Sequence, residues 1–299
     1  MHTIPAGLQA FDVNGPLPTC GRWKDTMPRN RDQAAYRLYI NARKLWRTKI
    51  AWQLTRQEFM SILHDVQSAA NRGDWGARAL MAHFYRSGLG PLDSNHVLDI
   101  DLVKSVEMVR MAVAAGQAWG YYDLGVAHEQ GYGGATQDEQ IAWAYYLKAA
   151  KLGSPEAQMA LASAYLKAER HDAEEAMVMC ACTQGHGPAA YQLGSYAKLR
   201  KNFAAALEYY QAGTRFGSKD SAVVLRIMFN QEDWSLRDKK DQNALRERDI
   251  LPDPERKLRY DQISDALDLN PDLKLTRLDQ VLPLPPAELT HMERHPGRN

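Results

Sequence analysis

The sequence is short of cysteine, of net charge and of long apolar runs, and each shortage removes a class of protein. Among 299 residues there are three cysteines, Cys20, Cys180 and Cys182. That number is too small for a disulfide scaffold and odd, so at most one intramolecular bridge can form. On a helix, residues two apart point about 200° away from one another, so Cys180 and Cys182 neither pair with each other nor share a metal. Buried free thiols are the favoured reading, with a bridge from Cys20 to Cys180 as the alternative. Lys and Arg total 37 against 36 Asp and Glu, a formal charge of +1. No net field draws the chain to nucleic acid or an anionic membrane.

Apolar runs extend for only a few residues, well short of the roughly 18 to 20 that cross a bilayer. The opening segment, MHTIPAGLQAFDVNGPLPTC, has neither a Lys/Arg-led start nor an apolar stretch of leader type. The expectation is a cytosolic protein, or one whose leader has been trimmed. Catalytic signatures are missing too. There is no His-Glu-x-x-His, Walker loop, Gly-x-Ser-x-Gly or paired-cysteine zinc spacing. The nearest thing to a metal set is Cys180, Cys182 and His186, which the helical geometry splits. His64-Asp65 and His171-Asp172 read as solvated helix-end pairs. Gly131, Gly133 and Gly134 read as a turn between helices, and Trp119, Trp143 and Trp234 as packing groups. The reading is therefore a protein that is not an enzyme and needs no cofactor and no metal.

What the chain does contain is a repeat. A glycine followed by a small-residue pattern returns as GDWGARALMA from Gly73, GQAWGYYDLG from Gly116, GSPEAQMALA from Gly153, GHGPAAYQLG from Gly185 and GSKDSAVVLR from Gly217. Successive anchors are 43, 37, 32 and 32 residues apart, a spacing of helical-hairpin repeats. Four residues after each glycine stands Ala77, Gly120, Ala157, Ala189 or Ser221. Eight residues after it stands Met81, Leu124, Leu161, Leu193 or Leu225. Small at one site and large one turn later marks a helix seam. A second apolar helix precedes each of the later glycines, with Met108-Val109, Tyr145-Tyr146, Met177-Val178 and Tyr209-Tyr210 filling the space that the small positions leave. The glycines themselves suit left-handed helix C-termini.

The expected fold is all-α: an alpha-solenoid with N-terminal capping helices and a C-terminal helix plus proline-rich extended tail. Residues 1–30 form an extended or loosely held segment, and 31–72 two capping helices, the second opened by a Thr55/Glu58 capping box. The array occupies 73–230. Residues 231–299 make a charged linker, a helix between Asp253-Pro254 and Asn270-Pro271, and a tail (RLDQVLPLPPAEL) that clamps the last repeat. The stretch after Asn230, about 70 residues, is too short for a separate catalytic core.

The recurrent G-x-x-x-A-x-x-x-L-G and Y-Y-x-K-A-A-x-x-G, clearest in Ala142 to Gly153 and Gly185 to Gly194, resemble the Sel-one-like repeat, a relative of the tetratricopeptide class. Gly120-Tyr121-Tyr122-Asp123, Gly185-His186-Gly187 and Leu282-Pro283-Leu284-Pro285-Pro286-Ala287 together resemble a group of Gram-negative repeat proteins. Those are encoded beside type VI secretion lipase effectors and act as their periplasmic immunity partners. The resemblance implies a protein partner, a secreted lipase or phospholipase effector neutralised by stoichiometric binding, and residence in the periplasm with a leader or lipid anchor removed. It implies a monomer or a heterocomplex. The alternative is a general scaffold or adaptor, in the cytoplasm or the envelope. In a stacked-hairpin protein, recognition belongs to the concave face made by the first helix of each repeat. Opposite the inward seam, that face carries Trp119, Tyr122 and Val126; Glu156, Met159 and Ser163; and Pro188, Tyr191 and Ser195.

Overall fold

A computed structural model describes residues 3–28 and 30–289. It is all-helical, built of consecutive antiparallel helix pairs of the alpha-solenoid class. Among the described residues the sole β pairing is a single bridge between Leu89 and Leu98. The chain divides into two compact units, Met1–Gln184 and Gly185–Asn299. The repeat array is thus shared between them.

The first unit contains α1 (Gln33–Trp46), α2 (Arg56–Asn71), α3 (Trp75–Ser87), α4 (Leu102–Ala114), α5 (Ala118–Gln130), α6 (Glu139–Lys151), α7 (Pro155–Lys167) and α8 (His171–Thr183), packed as successive pairs. Helix starts are written into the sequence. Asp74, Asp101, Asp138 and Ser154 each accept a backbone N–H three residues on, and Thr55 with Glu58 forms the reciprocal capping box. Helix ends are set by the anchor glycines: Gly73, Gly116, Gly153, Gly185 and Gly217 all have positive φ, where a Cβ would be strained.

The seam is dry. Ala77, Ala157, Ala189 and Ser221 and their large partners Met81, Leu124, Leu161, Leu193 and Leu225 are all buried. Small and large side chains also trade volume between the helices of a pair. A Cβ on Gly125 would lie 2.6 Å from the Tyr146 ring, and one on Gly194 would lie 2.7 Å from Tyr210. At the equivalent positions, where the small residue is Ala82 or Ala162, the facing aromatic shrinks to Val109 or Val178. Gly thus faces the large Tyr ring, and the larger Ala faces the smaller Val.

Residues ahead of α1 are extended but not loose. Gln117 donates to Thr26 O at 3.3 Å and Gln158 to Gly21 O at 3.1 Å. Arg170 donates to Val13 O at 2.7 Å and Gly15 O at 2.9 Å. Phe11 stacks on Trp143 with centroids 5.3 Å apart. Gly21 sits so close to the Lys151 carbonyl that any Cβ would collide with it. A disulfide joins Cys20 to Cys180, with Cα atoms 5.6 Å apart. The favoured reading of free thiols is corrected for these two residues; Cys182 alone remains a buried thiol. Helical angles had addressed only pairs within α8, whereas the bridge spans 160 residues and depends on where the N-terminal strap lies.

The second unit holds α9 (Gly187–Leu199), α10 (Phe203–Arg215), α11 (Lys219–Met228), α12 (Gln231–Ser235), α13 (Lys239–Arg246), α14 (Pro254–Leu269) and α15 (Leu278–Val281). The stretch expected as a charged linker contains two short helices, α12 and α13. It is pinned by three buried apolar residues, Trp234, Leu245 and Ile250. Tyr260 on α14 stacks on Phe229 and donates to Gln211 Oε1 at 2.6 Å; Gln211 in turn donates to Leu282 O at 2.8 Å. Leu278 and Leu282 are buried, and the Arg256 guanidinium binds the carbonyls of Pro283 and Ala287. The proline-rich tail is therefore packed on α10 and α14.

Candidate partner-binding surface

In the first unit, the expected face is made by α5 and α7. Glu156 and Ser163 are exposed, and Trp119, Tyr122, Val126 and Met159 are half-buried. Trp119, Glu156 and Pro155 meet Trp23 and Met27 of the N-terminal strap around a cavity of about 230 Å³. The Trp119 indole N–H is buried there without an acceptor, an unsatisfied donor of the kind that costs on the order of 1–3 kcal/mol until something accepts from it. Ser154 caps Ala157 N–H at 3.2 Å and also donates to Glu156 Oε2 at 3.2 Å, which steadies this carboxylate at the helix start.

Tyr122 packs on Tyr146 with centroids 5.5 Å apart, and Tyr146 donates to Glu129 Oε2 at 2.9 Å. Burial, with Glu156, Asp123 and Glu129 nearby, pushes the Tyr122 phenol upward. Asp123 was not among the expected face residues, yet its carboxyl is strongly perturbed. Burial pushes its carboxyl up to about 6, Arg86 on α3 opposes this, and Glu156 adds to it. Adjacent residues on a helix point about 100° apart, so helical angles placed Asp123 off the side that Tyr122 occupies and did not select it. Nor did the periodicity of the helices anticipate Trp23 and Met27, because they lie in the strap.

In the second unit, Pro188 is exposed in the first turn of α9. Tyr191 lies 5.9 Å from the Tyr210 ring, and Ser195 Oγ donates to Tyr191 O at 3.1 Å and lies 3.2 Å from the Tyr210 hydroxyl. Two of the three residues expected on this stretch of the face therefore also hold α9 to α10. Trp143 and Trp234 serve packing: Trp143 contacts Phe11 and Tyr146, and Trp234 is buried in the core of its unit. Gly131 closes α5 in the left-handed conformation, so the glycine cluster is a turn. His64 is bonded to Asp65 at 3.0 Å with most of its surface exposed, but in the middle of α2 and not at a helix end as expected. Among the described residues no group of three or more His, Cys, Asp or Glu is placed to hold a metal. None of the helices there is long and apolar enough to cross a membrane.

The successive helix pairs and their small-to-large seam resemble the Sel-one-like repeat class. It is similar throughout its length to three solved structures from Pseudomonas aeruginosa. PA5086 shares 28% identity, with 91% of this chain and 96% of that one covered and a TM-score of 0.71. The immunity protein Pa5087 shares 27% identity, covering 90% and 94% of the two chains at a TM-score of 0.68. The immunity protein PA5088 shares 25% identity, covering 90% and 94% at 0.67. No family model and no curated protein matches the chain.

Proposed function

We propose that this chain is an immunity protein that neutralises a cognate lipase or phospholipase effector of a type VI secretion system by direct stoichiometric binding, without catalysis of its own. The observation that carries the reading is the full-length likeness to Pa5087 and PA5088, each described as an immunity protein and each covered over 94% of its length. An α5/α7 face with two half-buried aromatics and acidic groups supports a protein partner. Rigid rings supply contact area at small entropic cost, and desolvated polar groups reward correct pairing. The lipase class and the periplasmic site of encounter follow from the motif resemblance. The Cys20–Cys180 bridge supports an oxidising compartment.

The test is co-expression with a type VI secretion lipase effector, sought first among the genes beside this one, followed by affinity capture and a growth assay under effector induction. A one-to-one complex at micromolar concentration, lost in Trp119→Ala and Glu156→Lys while helical content is kept, is the expected result. Absence of a complex, or protection that persists when capture fails, overturns the reading.

A further inference from the structure

The N-terminal strap of the first unit crosses the starts of α5 and α7, and none of its residues from 16 to 28 is buried. Its contacts there are polar. Trp23 N–H donates to Gln184 Oε1 at 2.9 Å, Gln184 donates to Gln158 Oε1 at 2.8 Å, and Gln158 donates to Gly21 O at 3.1 Å. Gln117 adds its bond to Thr26 O at 3.3 Å. The backbones also meet closely: a Cβ on Gly153 would lie 2.2 Å from the carbonyl carbon of Arg22. Without a buried apolar side chain, these few bonds do not offset the entropy of ordering a segment of this length. The Cys20–Cys180 bridge makes up the difference, because it removes much of that entropy from the released state.

The same segment walls the cavity at the α5/α7 face. Trp23, Thr26 and Met27 form its strap side, and Trp119, Pro155 and Glu156 its helix side. The bridge can be reached from one end, since Cys20 is exposed and Cys180 is buried. An attacking thiolate therefore bonds to Cys20 Sγ and expels the Cys180 thiolate, which takes up a proton. The second thiol of a dithiol reductant then attacks the mixed disulfide and frees Cys20, and the reductant departs as its own disulfide, two electrons and two protons having passed to the cysteine pair. Closure is the reverse, with a disulfide oxidant receiving both. Cys182 is buried and points away from Cys180 on α8, so it offers no competing partner.

We propose that the Cys20–Cys180 bridge is a redox fastening that completes the α5/α7 face. Oxidised, it holds Trp23 and Met27 beside Trp119 and Glu156; reduced, the strap over 16–28 departs and the Trp119 cavity opens to water. The face is whole only where a disulfide oxidant is at hand. That its opening also weakens capture of a protein partner rests on the immunity reading, whereas release of the strap does not.

Amide exchange and indole N–H spectra of the full chain test this, with the chain oxidised, reduced by dithiothreitol, or carrying Cys20→Ser. Reduction should quicken exchange of the Trp23 amide at least about tenfold and shift the Trp119 indole resonance, while amides within α2 and α3 keep their rates. Cys20→Ser should match the reduced chain with or without reductant, and Cys182→Ala should respond as the wild type does. Toward the lipase effector, Cys20→Ser should bind at least about tenfold more weakly than the oxidised chain. Strap exchange that reduction leaves unchanged overturns the fastening. Equal effector affinity of Cys20→Ser and the oxidised chain, with strap exchange quickened, overturns its link to the face. No complex with either form counts against the immunity reading alone, and the exchange rates still decide the fastening.

Discussion

The two extended ends of this chain are fastened by different chemistry. The N-terminal strap is held to its unit by polar side chains of the helices, Gln117, Gln158 and Arg170, which bind its backbone carbonyls, and by one covalent bridge. It buries little apolar surface of its own, Phe11 being its main ring. The C-terminal tail is held largely by apolar burial of Leu278 and Leu282, reinforced by the chain Tyr260–Gln211–Leu282 and by Arg256. A segment poor in apolar residues needs specific hydrogen bonds or a cross-link to offset the entropy of ordering it. One rich in leucine relies on area.

That contrast can be broken from the tail first. Tyr260→Ala removes a fully buried ring and the donor to Gln211 and should cost about 3–5 kcal/mol in denaturant unfolding. Hydrogen exchange should quicken along α14. Cys20→Ser should cost roughly 2–4 kcal/mol, since the bridge closes a loop of 160 residues. Reducing agent should give the same loss in the wild-type chain and none in the variant. If reduction leaves the unfolding curve unmoved, polar bonds alone hold the strap.

A smaller effect tests what the two units have in common. Ala157→Leu in one and Ala189→Leu in the other should each cost about 1–3 kcal/mol by overpacking a fully buried seam. Thermal melts compare them, and a cost in only one unit would show that the seam is not equivalent in the two. The smallest expected change is at Asp123. Its folded pKa, about 6, lies above that of an unfolded aspartate, so the folded chain holds this proton more tightly. Its contribution is fully present below about pH 4 and is lost as pH rises through about 6. Asp123→Asn should therefore flatten the stability profile between pH 4 and pH 7 by about 1 kcal/mol, after allowance for its partial exposure. An unchanged profile would place the carboxyl in water.

Much of the architecture was legible because its causes are local. Anchor glycines announced helix ends, the Thr55/Glu58 box and Asp253-Pro254 announced two starts, and the alternation of small with large residues at one-turn spacing announced the seam. Helices α12 and α13 escaped notice because five and eight residues carry too few apolar positions to show a period. Helical angles selected the residues of the candidate face on α5 and α7. They did not select Asp123 or the cavity walls Trp23 and Met27, because desolvation and contact between distant segments leave no mark on periodicity.

Residue order alone thus settled the helix pairs, their boundaries and their inward faces, each the outcome of interactions within a few residues. Folding in three dimensions decided that Cys20 meets Cys180, that the strap walls the Trp119 cavity, and that the 85–101 insert folds over a pocket walled by Trp46, Phe59 and Phe84. Those outcomes depend on loop closure across tens to hundreds of residues and on the water excluded when the segments meet.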